Sequence, residues 1–139
     1  GTPGINDPGY NIIKLAQDNH IPITAIPGPC ALINALALSG CPSEKFVFEG
    51  FLSNKSQARI KRLKALVTEN RTIVLYESPH RLLKLLADIS EVFGEREIIC
   101  VREATKKFEE IKKDKTGALI EHFKEHPPRG EFVVLVPPR

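Results

Sequence analysis

Methionine and tryptophan are absent from this sequence of 139 residues, and cysteine is scarce, with only three residues. The lack of even an initiator methionine predicts that the chain is a piece of a longer protein. Cys30, Cys41 and Cys100 are odd in number and no two have C-x-x-C spacing, which argues against a disulfide framework and against a zinc site. A reducing, cytoplasmic location is the simplest interpretation.

Long apolar runs are missing as well. No stretch approaches the roughly 18 apolar residues that a membrane-spanning helix needs, and the first residues lack the basic and apolar regions of a signal peptide. We therefore expect no membrane partner. The four histidines lack metal-ligand spacing, and neither a G-x-S-x-G nor a P-loop motif occurs. Metal-ion catalysis and classical nucleophilic catalysis are not predicted.

Acidic residues are absent from residues 53–68, although the formal net charge of the whole chain is only +3. A helix is predicted over residues 55–68, and Lys55, Arg59 and Arg62 recur along it at the spacing of one stripe. Such a stripe suits the phosphates of a nucleic acid, but a helix face exposed to solvent looks similar. The length of the acid-free segment favours RNA contact.

Apolar periodicity predicts alternating helices and strands along the whole chain. The predicted helices cover residues 10–19, 29–40, 55–68, 78–94 and 116–126, with Asp7-Pro8, Ser78-Pro79 and Thr116 at three of their starts. The predicted strands cover residues 21–28, 45–51, 71–77, 97–103, 107–113 and 130–136. This order is typical of an α/β domain, and we expect a mixed, mostly parallel sheet flanked by helices.

Chemically distinctive loops follow four of the predicted strands, where ligands of α/β sheets bind. They read IPGPCA, FEGFLSNKS, YESPHR and VREATKKFEE. Taken singly, each is explained as a turn or a helix cap. Their coincidence at one sheet edge favours a binding site, and the opening loop GTPGINDPGY has the glycines that let backbone approach a ligand.

These segments, together with RGEFVVLV near the end, resemble in content and order the ribosomal RNA small-subunit 2′-O-ribose cytidine methyltransferases of the tetrapyrrole methylase superfamily. The resemblance spans essentially the whole chain. It implies two α/β domains with S-adenosylmethionine in the cleft between them. Residues 1–27 would then be a remnant of the N-terminal cofactor-binding domain, and residues 28–139 the C-terminal α/β domain.

The resemblance also implies which residues form the site. Those on the cofactor wall would be Gly1, Thr2, Ile5, Cys30, Ala31, Glu77, Ala104 and Thr105. Cys30 stands where many relatives have threonine, so a hydroxyl hydrogen bond would be lost there. A ribose hydroxyl is a poor nucleophile, which makes a proton acceptor useful.

Four side chains are candidates for the proton acceptor, and the sequence does not rank them: Glu77, His80, Glu103 and Glu109. We expect Glu77, Glu103 and Lys106 to be catalytic. We expect RNA contacts from Lys55, Arg59, Arg62, His80, Arg81 and Arg102.

The implied partner is ribosomal RNA or the small ribosomal subunit, and we expect a homodimer in the full-length protein. Two alternatives stay open. One is a methyltransferase acting on a tetrapyrrole precursor, which shares fold and cofactor. The other is a non-catalytic domain that only dimerises or binds RNA.

Overall fold

The computed structural model describes residue 2 and residues 4–139. The chain divides into two compact units, Gly1–Ala31 and Leu32–Arg139. The assignment of residues 1–27 to a separate cofactor-binding domain stays a prediction. Within the described residues, no helix combines the length and apolarity needed to cross a membrane.

In the described part of the first unit, residues 10–18 form the helix α1 (Tyr10–Asp18), and none of its residues is buried. The helix begins after Gly9, not at Asp7-Pro8, and no side chain caps it. The strand predicted over residues 21–28 does not form, and Ile26 in this stretch is 82% exposed. The prediction is wrong because β-propensity alone is not sufficient, since a strand also needs a neighbour to pair its N–H and C=O groups.

The second unit is built on a five-stranded sheet. In chain order the strands are β1 (Phe46–Phe51), β2 (Thr72–Glu77), β3 (Glu97–Arg102), β4 (Glu110–Lys115) and β5 (Phe132–Val136). Their order across the sheet is β1-β2-β5-β3-β4. β1 and β2 pair in parallel, whereas β5 is antiparallel to both β2 and β3, and β4 is antiparallel to β3.

The predicted mixed α/β fold is confirmed, but the expected predominance of parallel pairs is wrong. The strands β1, β2 and β3 do run in one direction, yet β5 lies between β2 and β3 and turns two pairs antiparallel. The continuous apolar run of β5 predicts a strand that is buried on both faces, and every residue of β5 is buried. It does not show which neighbours a buried strand pairs with.

Four helices accompany the sheet: α2 (Ala31–Ser39), α3 (Ser56–Ala65), α4 (Leu82–Phe93) and α5 (Thr116–Glu125). The apolar stripe of α4 enters the core with Leu85, Leu86 and Ile89, beside Leu119 of α5. Ser78 does not cap α4 through its side chain, since the carbonyl of Ser78 instead accepts the N–H groups of Arg81 and Leu82.

The hydroxyl of Thr116, predicted as a cap of α5, instead donates to the carbonyl of Arg96 at 2.9 Å. β4 begins at Glu110, three residues later than predicted. The reason is that Glu103 and Thr105 adopt positive φ angles of 47° and 68°, so the segment between β3 and β4 is a tight loop and not extended strand.

Candidate functional site

Three of the predicted loops meet at one edge of the sheet. Because β1, β2 and β3 run in one direction, their carboxyl ends lie at the same edge. Phe132 at the start of β5 pairs with Glu77 on one side and with Arg102 on the other, so these residues lie at one level across the sheet. We call this edge, with residues 52–55, 78–81 and 103–109, the carboxyl edge.

Glu77 ends β2 at this edge and is only 1% exposed. Its Oε1 accepts the N–H of Ser78 at 2.8 Å and lies 3.2 Å from Nε of Arg81. Its Oε2 is buried and has no hydrogen-bond donor among the described residues. A buried carboxylate oxygen without a donor is costly, and such groups are rare away from functional sites.

Burial raises the pKa of Glu77, although the hydrogen bond from Ser78 and the charges of Arg81 and Arg59 oppose this effect. The folded protein therefore holds a proton on Glu77 at pH values where the unfolded chain has released it. The stabilisation from Glu77 is fully present below the ordinary glutamate pKa and is lost as the pH rises through the raised one. A raised pKa brings a carboxylate closer to the range useful for accepting a proton.

The loop after β3 holds Glu103 in a different environment. The Oε1 atom of Glu103 accepts the N–H of Glu131 at 2.9 Å and an N–H of the Lys106 ammonium group at 3.0 Å. The Glu131 bond, and after it Lys106, lowers the pKa of Glu103, while the bond to Glu103 raises the pKa of Lys106. A carboxylate stabilised in its charged form is a poor proton acceptor, so this geometry disfavours Glu103 as a base.

The two other candidate bases differ in their contacts. Glu109 accepts the backbone N–H of Thr105 at 2.6 Å, which fixes the loop in its positive-φ conformation. His80 is exposed and forms no hydrogen bond or ion pair within the part of the chain that the structure describes. Of the four candidates the geometry favours Glu77, and the catalytic assignment of Glu77, Glu103 and Lys106 stays a prediction.

The predicted cationic stripe on α3 is not a continuous surface. Arg59 is only 3% exposed and is paired through Nε with Asp88 of α4. Arg62 is exposed but donates to both carboxylate oxygens of Glu49, at 2.7 and 2.6 Å, and this contact raises the pKa of Arg62. Lys55 alone of the three is exposed and without an acidic partner in the described structure.

The sequence did not predict the inward position of Arg59, because a helical stripe of cations is typical of a surface that faces solvent. The available signal was Asp88, a single acidic residue between Leu85, Leu86 and Ile89 on the apolar stripe of α4. A buried carboxylate requires a cation nearby.

Arg81 and Arg102, predicted to contact RNA, also have partners within the protein. Arg81 donates from Nη2 to the carbonyl of Leu52 at 2.7 Å. Arg102 donates to the carbonyl of Arg129 at 2.8 Å and to Glu110 at 3.1 Å. Arg102 also lines a cleft of about 380 Å³, which the sequence did not predict. Its lining includes Glu110, His122, His126 and Arg129.

The remaining cofactor candidates lie partly in the first unit. Gly1 is outside the described residues. Thr2 donates through its hydroxyl to the carbonyl of Gly28 at 3.3 Å, Ile5 is exposed, and Cys30 is a partly buried free thiol. In the second unit Ala104 is half-buried and Thr105 is exposed at the carboxyl edge. Among residue 2 and residues 4–139, no group of three or more His, Cys, Asp or Glu side chains could hold a metal ion.

A sequence model of the family described as Tetrapyrrole (Corrin/Porphyrin) Methylases matches residues 1–120. The chain belongs to this family. The resemblance inferred from the loop motifs is thereby confirmed for this tetrapyrrole methylase at the level of the superfamily.

Curated relatives confirm the RNA branch of the resemblance. The chain is 45% identical over 136 residues to "Ribosomal RNA small subunit methyltransferase I" of Thermotoga maritima, covering 98% of the chain and 61% of that protein. It is 46% identical over 139 residues to the protein of the same name from Escherichia coli O157:H7, covering 98% of the chain and 49% of the relative. This tetrapyrrole methylase chain thus spans roughly half to three fifths of the relatives' length.

Solved structures share the fold at low sequence identity. A cobalt precorrin-4 methyltransferase of cobalamin biosynthesis matches with a TM-score of 0.74 and 16% identity, covering 99% of this chain and 61% of that one. A uroporphyrin-III C-methyltransferase from Thermus thermophilus, solved in complex with S-adenosyl homocysteine, has a TM-score of 0.65 and 15% identity, covering 98% and 62%. These likenesses establish the tetrapyrrole methylase fold of the chain.

Proposed function

We propose that the full-length protein transfers a methyl group from S-adenosylmethionine to a ribose 2′-hydroxyl of small-subunit ribosomal RNA. The observation that carries the proposal is the 45% identity, over nearly the whole chain, to a relative named for small-subunit ribosomal RNA methylation. The likeness to tetrapyrrole-modifying enzymes is only 15–16% in sequence and supports the fold rather than their substrates.

One observation at the carboxyl edge supports a cofactor site there. Oε2 of Glu77 is a buried acceptor without a donor among the described residues, and S-adenosylmethionine carries amino and hydroxyl donors. In this unit we propose Glu77, Ala104 and Thr105 as the cofactor-binding residues. The resemblance separately assigns a cofactor role to Gly1, Thr2, Ile5, Cys30 and Ala31. When bound, the cofactor supplies an already activated methyl group, so the protein mainly contributes alignment.

Glu77 has two possible tasks in this proposal: it holds the cofactor or it accepts the ribose proton. We favour the cofactor role, because the resemblance places Glu77 on the cofactor wall and its carboxylate is fully buried. For the RNA backbone we favour the exposed Lys55 and His80, because Arg59, Arg62, Arg81 and Arg102 already have partners in the protein.

The proposal includes a cytoplasmic location and a homodimer. The three free cysteines and a ribosomal RNA substrate support the location. The homodimer rests on the sequence interpretation alone.

Transfer of labelled methyl from S-adenosylmethionine by the full-length protein tests the proposal. The substrates are small ribosomal subunits, deproteinised small-subunit RNA and a tetrapyrrole precursor, and a 2′-O-methyl group is identified by the resistance of its phosphodiester to alkali. We expect methylation of subunits or RNA. Methylation of the tetrapyrrole alone, or no transfer to any substrate, would refute the proposal.

A variant pair then defines the role of Glu77. Glu77→Gln is compared with Glu97→Gln, which removes an exposed carboxylate at the opposite end of β3, where it pairs with Lys113. Loss of cofactor contact raises KM for S-adenosylmethionine, whereas loss of a base lowers kcat by about 100-fold or more while KM holds. Parental kcat and KM in Glu77→Gln would mean that the cleft lies elsewhere.

A further inference from the structure

The loop between β1 and α3 is held from inside the protein by two arginines. Arg81 donates to the carbonyl of Leu52 at 2.7 Å. Arg59 donates from Nη1 to the carbonyls of Ser53 and Asn54, at 3.1 and 3.4 Å. Three consecutive carbonyls of one loop therefore accept hydrogen bonds from guanidinium groups, and we call Arg59 and Arg81 the arginine clasp.

Each arginine of the clasp is anchored in turn by a buried carboxylate. Arg59 pairs with Asp88 of α4, and Arg81 lies 3.2 Å from Glu77 at the end of β2. The carboxylates come from α4 and from the end of β2, so the loop is tied to two elements other than β1 and α3, which it connects.

Hydrophobic packing would stabilise this region as well as buried charge does, because removing ions from water is costly. A gain in folding stability therefore does not account for the presence of these buried ion pairs. The arginines instead contribute directional hydrogen bonds. A planar guanidinium donates along fixed directions, so it fixes the positions of the loop carbonyls.

The fixed loop presents polar side chains to solvent at the carboxyl edge. Leu52 is buried, whereas Ser53, Asn54 and Lys55 are exposed. The N–H of Lys55 donates to the hydroxyl of Ser53 at 3.2 Å, which orders the segment further. The segment also opens the acid-free stretch of residues 53–68, so the carboxylate nearest in sequence on that side is Glu69.

We propose that Arg59 and Arg81 are positioning residues that hold Ser53, Asn54 and Lys55 as a preorganised contact for the phosphodiester backbone of the RNA substrate. This inference rests on the proposed function. A segment already held in its binding conformation loses less entropy when it meets its ligand, and so binds more tightly with the same contacts. The ammonium group of Lys55 and the amide of Asn54 supply the phosphate donors.

The test uses the full-length protein and a transcript of small-subunit ribosomal RNA. Arg59→Lys keeps the charge, but one ammonium nitrogen replaces two guanidinium nitrogens: Nε, which pairs with Asp88, and Nη1, which donates to both loop carbonyls. Asn54→Ala combined with Lys55→Ala removes the exposed donors without touching the clasp. Arg71→Lys is the control, because Arg71 also binds a carboxylate, Glu69, but precedes β2 at the opposite edge of the sheet.

The Kd for the transcript across a salt series and KM for S-adenosylmethionine are measured for each variant. The rate of tryptic cleavage after Lys55 is measured for the parental protein, Arg59→Lys and Arg71→Lys, which keep that lysine. We expect Arg59→Lys to weaken RNA binding at least fivefold and to accelerate cleavage, with the cofactor KM within twofold of the parental value. We expect Asn54→Ala/Lys55→Ala to weaken binding similarly and to reduce the salt slope by about one.

Parental RNA affinity in Arg59→Lys, whether or not cleavage accelerates, would overturn the inference, as would equal weakening by Arg71→Lys. If Arg59→Lys does not fold in a melting experiment, the exposed double variant decides, and parental affinity there overturns the inference. Methylation by the parental protein is measured separately. A parent that methylates RNA while the loop variants bind normally refutes the inference alone, and a parent that neither binds nor methylates RNA refutes the proposed function with it.

Discussion

Replacing Arg59 by methionine is expected to lower the free energy of unfolding by about 3–5 kcal/mol, because it leaves a buried carboxylate without its cation. The residue involved is Asp88, which is 8% exposed and contacts no other cation within the described residues. The carbonyls of Ser53 and Asn54 also lose their donor, but these residues are exposed and their carbonyls regain water. The cost therefore comes mainly from Asp88.

Replacing the other partner, Asp88→Asn, is expected to lower the free energy of unfolding by less, about 1–2 kcal/mol. The amide oxygen still accepts from Arg59, and the guanidinium keeps its two loop carbonyls. The double variant Arg59→Met/Asp88→Leu is expected to fall within about 1.5 kcal/mol of the parent, because apolar residues of similar volume often replace a buried ion pair without loss.

Equilibrium unfolding in urea, followed by far-ultraviolet circular dichroism, measures these differences. With a slope of about 2 kcal/mol per molar urea, a loss of 4 kcal/mol moves the midpoint by about 2 M. Arg71→Met, which breaks the surface pair with Glu69, serves as the control and is expected to leave the midpoint unchanged. A loss below about 1 kcal/mol in Arg59→Met, or a double variant that loses as much stability as Arg59→Met, would refute the reasoning.

Three further predictions concern other parts of the chain. Gly130→Ala is expected to destabilise by more than Gly40→Ala, since both have φ near +70° but only at Gly130 would the added Cβ meet Glu103, at 2.4 Å; equal urea midpoints would contradict this. Glu77→Gln is expected to gain stability relative to the parent as the pH rises from 4 to 8, because the pKa of Glu77 is raised and its stabilisation is lost in that direction; a relative gain on acidification would be the wrong sign. The 139-residue chain alone is expected to bind S-adenosylmethionine weakly in calorimetry, because ligand sites bury about 70% or more of a ligand and this chain spans only 61% and 49% of the length of two curated relatives; a low-micromolar Kd would contradict it.

The amino-acid sequence by itself determined most of the elements. β2, β3, α5 and β5 lie within two residues of where apolar periodicity predicted them, and α4 begins four residues later than predicted. Each has an apolar face or run that is stable only when buried. The loop motifs after β1, β2 and β3 likewise predicted a shared edge, since strands that run in one direction bring their carboxyl ends together.

Only the tertiary structure decided which groups are partners. The place of β5 between β2 and β3 depends on competition among strands with similar apolar runs, and residues 21–28 form no strand although their pattern predicts one. Arg59 turns inward to Asp88, and the pKa values of Glu77 and Glu103 move in opposite directions. Pairing, burial and electrostatic shifts depend on groups distant in sequence that meet only in the folded chain, so no local pattern of residues contains them.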